Sequence, residues 1–328
     1  MRARSFARLS CSVAVALLGC ASFPRMTEPP LQPAPPVEWL RGEGGVRLYS
    51  SSVRPTGTPV GVVLFVVHPE VGSAPLYPKL VAALQEAGFV ASMFHPRGTG
   101  YSSGLRGDLD DYQLFLADHR QSLAEVRTRF GATPVFLMGH SAGAAFALEL
   151  AATDKSPLAG VVLVNPAYKL RNAEGLSPSF GDYLVFAWNM IFRPAALTVD
   201  MNSKPSAVAH PADRAEGEAM QADPLVVRYF SMRYLLAQRQ VMDRCATNAA
   251  LTSAPVLLLQ GDQDLMVDSR GNDEILAAAR NRDTTKLVVA GGGHGSSSVE
   301  TMVEPLVAWL RAHLPQASDL LRSPASEP

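Results

Sequence analysis

The sequence has few cysteines and almost no net charge. Its 328 residues include three cysteines, and 29 basic residues stand against 30 acidic ones, for a net charge of -1. Because no basic block interrupts this balance in the body of the chain, nucleic acid is excluded as an expected partner. Two cysteines lie in the first twenty residues, and Cys245 is the one thiol beyond them. That excludes an intramolecular disulfide, a zinc site or a redox pair in the body, and no metal or organic cofactor is expected.

The first twenty residues carry an export pattern. Three arginines precede an uncharged segment, residues 9–19, that is too short to span a bilayer as a helix. Residues 17–20, Leu-Leu-Gly-Cys, resemble the bacterial lipobox, so residues 1–19 are expected to be a lipoprotein signal peptide and Cys20 the lipidated residue. An ordinary secretory peptide or a plain N-terminal anchor is the alternative. Ala21 is not the aspartate associated with inner-membrane retention, which favours the outer membrane.

Proline density separates the next segment from the body. Six prolines fall between residues 24 and 36, and such density favours an extended, solvated tether over residues 20–44. Residues 315–328 are also rich in proline and serine and are expected to fray as a flexible tail. The folded body is therefore expected to cover residues 45–314.

Apolar runs alternate with helical patterns through the body. The strands expected from these runs cover residues 46–51, 60–67, 89–94, 134–138, 160–164, 255–260 and 285–290. Helices are expected at residues 78–87, 110–130 and 297–313. Continuous apolar strands between helices predict a mostly parallel, doubly wound sheet of the α/β class. In such a sheet the working site lies beyond the carboxyl ends of the strands.

One five-residue motif stands at such a strand end. Gly139-His140-Ser141-Ala142-Gly143 joins an apolar run to an alanine-rich stretch with high helix propensity. Strand, sharp turn and helix around Gly-x-Ser-x-Gly are typical of a nucleophile elbow, which makes Ser141 the candidate nucleophile.

Several ordered motifs together resemble the α/β-hydrolase superfamily, in the branch of serine aminopeptidases, monoacylglycerol lipases and lysophospholipases. Residues 95–102 are similar to that branch's Asp-x-Arg-Gly-x-Gly-x-Ser loop, with His95 in place of the aspartate. The resemblance covers residues 45–314 and implies an α/β-hydrolase fold with a helical cap inserted at about residues 167–250. An apolar stretch in this insertion, residues 183–192, is expected to line an acyl pocket, touch a membrane or pack on the sheet.

The resemblance also implies an acid and a base in a set order after the nucleophile. His294 follows the last apolar run in a glycine-rich turn and is the candidate base. Asp262, Asp264 and Asp268 compete for the acid. The fourth position of the family's Gly-x-x-Asp turn falls on Asp264, which is preferred, with Asp262 as the alternative.

Two backbone amides are expected to form the oxyanion hole. One belongs to Ala142, at the start of the helix after the nucleophile. The resemblance assigns the other to Glu70, the third position of a His-Gly-x-Gly loop in which Pro69 replaces the first glycine. A carboxylate there opposes a developing negative charge unless it points away or is protonated. A shifted donor such as Val71, altered specificity and reduced activity remain open alternatives.

These observations predict an exported, lipid-anchored serine hydrolase that cleaves carboxylic esters through an acyl-enzyme. By family analogy, the expected substrate is a monoacylglycerol or lysophospholipid-like ester. A peptidase of the same branch is the first alternative, and an acidic cluster in the cap would favour it. A non-catalytic envelope-binding protein is the second, motivated by Pro69 and Glu70.

Overall fold

A computed structural model of the chain describes residues 22–34, 37–67, 77–109, 111–171, 180–200 and 210–315, without the side chains of 180–183 and 212. Cys20, Glu70 and Val71 lie outside these residues, as do the expected signal peptide and nearly all of the expected tail.

Ten strands, ten α-helices and one short 3₁₀ helix, Glu43–Gly45, lie in the described residues. The strands are β1 (Glu38–Arg41), β2 (Arg47–Val53), β3 (Gly61–Val66), β4 (Phe89–Phe94), β5 (Val135–His140), β6 (Gly160–Val164), β7 (Leu197–Asp200), β8 (Tyr229–Ser231), β9 (Val256–Gly261) and β10 (Thr284–Val289). The helices are α1 (Pro78–Glu86), α2 (Tyr112–Phe130), α3 (Ala142–Thr153), α4 (Phe180–Phe192), α5 (Pro211–Ala222), α6 (Met232–Asp243), α7 (Cys245–Leu251), α8 (Ser269–Ala278), α9 (Ser297–Glu300) and α10 (Val303–Ala312).

Eight strands form the central sheet, in the order β1-β2-β4-β3-β5-β6-β9-β10. From β4 to β10 every neighbouring pair is parallel, whereas β1 and β2 are antiparallel to their neighbours. The predicted mostly parallel sheet is confirmed. Because the strands run the same way, the carboxyl ends of β5, β9 and β10 lie at one edge, where the site is expected.

Apolar side chains cover both faces of the sheet. All six residues of β3 and of β9 are buried, as continuous apolar strands require. One face packs against α2 and α3, and the other packs against α1 and α10. Each fully buried leucine, such as Leu64 and Leu137, contributes about 1.5–3 kcal/mol relative to exposure. Helix α3 is buried continuously from Ala142 to Ala151, which explains its small side chains.

The described residues before residue 45 are bound to the body, which differs from the solvated tether expected over residues 20–44. Strand β1 pairs with β2, and the ring of Phe23 stacks on Tyr229 with 3.6 Å between centroids. The carbonyl oxygens of Met26 and Thr27 accept hydrogen bonds from the amides of Arg106 and Gly104, at 2.9 and 2.8 Å. Proline removes backbone donors but leaves the carbonyl acceptors, so a proline-rich segment can still bind in an extended form.

Arg25 strengthens this attachment at a buried carboxylate. It donates to Asp108 at 2.8 Å, and Asp108 also accepts hydrogen bonds from Ser231 and Arg233. Asp108 precedes α2, whereas Ser231 and Arg233 lie in the chain between β6 and β9. The carboxylate therefore joins three parts of the chain that are distant in sequence.

The connection between β6 and β9 contains α4 to α7 and the two-stranded sheet β7-β8. Helix α4 leaves five large apolar side chains exposed, those of Leu184, Phe186, Trp188, Ile191 and Phe192. Within the described residues, no helix has both the length and the apolar composition needed to cross a membrane.

Candidate active site

Ser141 sits on a strained turn between β5 and α3. Its backbone has φ 53° and ψ -122°, a conformation that side-chain-bearing residues rarely adopt. The turn is also tight, because a Cβ on Gly139 would lie 2.3 Å from the Gly143 carbonyl oxygen. The small flanking residues and the strained backbone of Ser141 form a sharp turn at the carboxyl end of β5. This turn has the geometry of a nucleophile elbow.

Three side chains from different loops form a continuous hydrogen-bond chain at this edge. His294 Nδ1 donates to Asp264 Oδ2 at 2.7 Å, which leaves Nε2 unprotonated to accept from Ser141 Oγ at 3.0 Å. Asp264 follows β9 and His294 follows β10. The structure therefore brings together the nucleophile, acid and base that were predicted from the sequence.

Asp264 is held in its ionised form. Its side chain is buried, and burial alone would raise its pKa. The hydrogen bond from His294, with backbone bonds from Val267 and Met266, outweighs burial and holds the pKa of Asp264 below its usual value. Asp264 Oδ1 accepts from the Met266 and Val267 amides at 2.7 and 2.9 Å, so both carboxylate oxygens have partners.

The competing aspartates make other contacts. Asp262 accepts from the Gly291 amide at 2.8 Å and links the two loops behind the site. Asp268 caps α8 by accepting from the Arg270 amide at 3.0 Å, and its carboxylate also pairs with the Arg270 guanidinium. In this structure Asp264 is the carboxylate that accepts the hydrogen bond from the His294 ring.

Two polar residues that were assigned no role in the sequence hold the main chain of His294. The His294 carbonyl oxygen accepts from Asn165 Nδ2 at 2.9 Å and from His140 Nε2 at 2.7 Å. Asn165 is fully buried, has φ 41°, and its Oδ1 accepts from the Gly261 amide at 2.9 Å. Asn165 thus ties together the acid and base loops. A polar residue directly after the buried β6 run was the sequence signal that could have found it.

His95, at the position of the family's aspartate, provides a structural hydrogen bond. Its Nδ1 accepts from the Tyr101 amide at 3.0 Å. Burial, aided by the charge of Arg106, lowers the pKa of His95 to about 4, so the ring is neutral at neutral pH. A Cβ on Gly100 would lie 2.0 Å from His95 Nδ1, so the glycine lets the loop fold over the ring.

Of the two expected oxyanion donors, Ala142 lies within the described residues. It is the first residue of α3, where backbone amides have no partner within the helix. Glu70, the other expected donor, and Val71, its alternative, lie outside the described residues. Among the described residues, no group of three or more His, Cys, Asp or Glu side chains is arranged to hold a metal ion.

Monoacylglycerol lipases are among the proteins of similar sequence. The chain is 27% identical to the monoglyceride lipase of Homo sapiens over 274 residues, which cover 83% of this chain and 88% of that protein. It is 26% identical to the monoacylglycerol lipase of Mycolicibacterium smegmatis over 280 residues, 83% of this chain and 96% of that one.

Solved structures share the fold. The monoacylglycerol lipase of Paleococcus ferrophilus superposes with a TM-score of 0.65 at 26% identity, covering 81% of this chain and 99% of that one. A soluble variant of monoglyceride lipase from Saccharomyces cerevisiae has a TM-score of 0.70 at 18% identity, over 89% and 100%, a likeness of fold alone. The family model for serine aminopeptidase, S33, matches residues 58–298, more than half of the chain. The chain therefore belongs to the serine aminopeptidase S33 family and has the α/β-hydrolase fold.

Proposed function

We propose that this chain is a serine hydrolase of lipid esters, with monoacylglycerol or lysophospholipid-like esters as its substrates. The observation that carries the proposal is the continuous hydrogen-bond chain from Ser141 through His294 to Asp264. The relatives named monoglyceride lipase, which match over most of both chains, support the substrate class.

The reaction follows from the order of the three hydrogen-bonded side chains. Ser141 Oγ attacks the acyl carbon as His294 Nε2 takes its proton, and ionised Asp264 stabilises the resulting imidazolium. His294 then protonates the leaving alcohol, and water hydrolyses the acyl-enzyme by the same route. The Ala142 amide is the proposed oxyanion donor of α3, and the family resemblance assigns the second donor to Glu70.

Two of the acidic groups of α5 are not free to bind the amino terminus of a peptide substrate. A peptidase that binds a free amino terminus needs carboxylates that face the substrate. Asp213 and Glu216 lie above the His294 loop but accept hydrogen bonds from its backbone amides. These two carboxylates are therefore already used inside the protein.

Labelling by a fluorophosphonate tests the nucleophile. Wild type should be labelled, Ser141→Ala should not, and Ser253→Ala, at an exposed serine, should be labelled like wild type. A folded protein without Ser141-dependent labelling would support the non-catalytic alternative. Paired turnover of p-nitrophenyl esters and aminoacyl amides separates esterase from peptidase. Comparing 1-monooleoylglycerol with lysophosphatidylcholine then identifies the head group.

The proposal extends to location: the enzyme is lipid-anchored through Cys20 after removal of residues 1–19, and it lies at the bacterial outer membrane. Residues 17–20 support the anchor, and Ala21 supports the outer membrane. The exposed apolar side chains of α4 are compatible with a nearby lipid surface. Arg25 also donates to the Ala195 carbonyl oxygen, just beyond α4, so the N-terminal segment passes close to that helix.

Mass spectrometry of the mature protein tests the anchor, and membrane fractionation tests the location. The expected terminus is an acylated Cys20, and the expected fraction is the outer membrane. An intact residue 1–19 segment or an unmodified terminus would reject the anchor.

A further inference from the structure

Two carboxylates of α5 contact the main chain of the loop that carries His294. Asp213 Oδ2 accepts from the His294 amide at 2.8 Å, and Asp213 Oδ1 accepts from the Gly295 amide at 3.0 Å. Glu216 Oε2 accepts from the amide and the hydroxyl of Ser296, at 2.7 and 2.9 Å. These are charge-assisted hydrogen bonds, which are stronger than those between neutral groups. The connection between β6 and β9 is therefore hydrogen-bonded directly to the loop that carries His294.

The same carboxylates explain two glycines beside His294. A Cβ on Gly295 would lie 2.4 Å from Glu216 Oε2 and 2.6 Å from Asp213 Oδ1. A Cβ on Gly293 would lie 2.2 Å from Asp213 Oδ2. Neither glycine has a positive φ, so the close approach of the acids, and not the backbone conformation, is what requires them.

The central sheet holds the rest of His294. Asn165 and His140, at the ends of β6 and β5, bind its carbonyl oxygen, and Asp264 binds its ring. The amide of His294 is thus bound by α5, whereas its carbonyl and its ring are bound by groups at the edge of the sheet. The orientation of the ring depends on both attachments.

We propose that Asp213 and Glu216 are positioning residues that couple the packing of α5 against residues 294–296 to the alignment of His294 with Ser141. The inference rests on the proposed hydrolase function. With α5 packed against the loop, its two carboxylates accept four hydrogen bonds from residues 294–296, and Nε2 of His294 faces the serine hydroxyl. When α5 moves away, the amides of residues 294–296 lose their acceptors and the His294 ring loses its alignment. Proton transfer from Ser141 therefore requires α5 to be packed against this loop.

The test compares the double variant Asp213→Ala, Glu216→Ala with Glu218→Ala, an exposed acid on the same helix. With p-nitrophenyl butyrate as substrate, the double variant should lose at least about tenfold in kcat with a smaller change in KM, because misplaced catalytic groups cost about this much or more. Its thermal unfolding should match that of Glu218→Ala. Amide exchange at residues 294–296 should be faster in the double variant.

Gly295→Ala provides a second test that keeps both acidic charges. Its Cβ displaces the carboxylates, so the loss in kcat should resemble that of the double variant. In the double-variant background, Gly295→Ala should cause little further loss. An equal loss from Gly295→Ala in both backgrounds would overturn the coupling.

A double variant whose kcat stays within twofold of Glu218→Ala would also overturn it. If wild type shows no Ser141-dependent turnover, the proposed hydrolase function fails instead. Amide exchange still tests the contact in that case. Unchanged exchange at residues 294–296 in the double variant overturns the proposed role of Asp213 and Glu216, and faster exchange supports it.

Discussion

Replacing Asp264 with asparagine should inactivate the enzyme by reversing the tautomer of His294. Asp264 Oδ1 accepts from two backbone amides, at 2.7 and 2.9 Å, whereas Oδ2 accepts from His294 Nδ1 at 2.7 Å. An asparagine keeps its one carbonyl oxygen facing the two amides, because its NH₂ group cannot accept from them. The NH₂ group then faces Nδ1, which must become an acceptor.

This change moves the ring proton to Nε2. The protonated Nε2 then faces Ser141 and cannot accept the hydroxyl proton. In a triad altered in the same way, the wrong tautomer lowers kcat by about 10⁴-fold. That loss corresponds to about 5.5 kcal/mol in the activation barrier. The volume of the side chain hardly changes, so we expect kcat to fall while the fold is retained.

The assay is kcat for p-nitrophenyl butyrate at pH 7.5, with thermal unfolding as the measure of folding. Asp262→Asn, two residues away, is the matched control. Its carbonyl oxygen can still accept from the Gly291 amide, so kcat should remain close to wild type. A kcat for Asp264→Asn within tenfold of wild type would refute the tautomer argument. So would an equal loss in Asp262→Asn, which would move the acid to the alternative position.

Three other substitutions test the surrounding structure. Asp108→Asn should lower the free energy of unfolding by about 2 kcal/mol at pH 7 in urea titrations, because it removes the charge of a buried carboxylate that accepts hydrogen bonds from the partly exposed guanidinium groups of Arg25 and Arg233. Burial raises the pKa of Asp108, but Arg233, Ser231 and the Leu109 amide lower it overall, so this difference from wild type should shrink as the pH falls through that depressed pKa. Asn165→Gly keeps the positive φ but removes the bonds to both loops, and kcat should fall about tenfold to hundredfold with little change in KM. Phe23→Ala should lower the free energy of unfolding by about 1 kcal/mol by removing the stack on Tyr229, a shift of roughly 2 °C by calorimetry, whereas Leu31→Ala at an exposed site should not.

Local patterns predicted the sheet well but missed some boundaries. The expected closing helix over residues 297–313 is two helices, α9 and α10. Pro305 lies in the first turn of α10, and its ring would clash with the carbonyl of Thr301 if the helix were continuous. In the connection between β6 and β9, helix α6 begins at Met232. Ser231 caps it by accepting from the Tyr234 amide, and β8 precedes it.

The N-terminal segment was the largest difference from expectation. Proline content agrees with the non-helical backbone of the described residues 22–34, but it carries no information on whether an extended chain is bound. Binding depends on Phe23 meeting Tyr229 and Arg25 meeting Asp108, residues far apart in sequence.

The sequence by itself determined the order along the chain of seven of the eight strands of the central sheet and the position of Ser141 on a tight turn. It also placed the acid and base candidates at strand ends. These features depend on apolar periodicity and turn residues, which are local. Tertiary structure decided which of three aspartates binds His294, because only the packing of β9 beside β10 sets that 2.7 Å contact. It also decided that Asn165 and Asp213 hold the base from opposite sides. Those contacts join residues up to about 130 positions apart, and no local pattern encodes them.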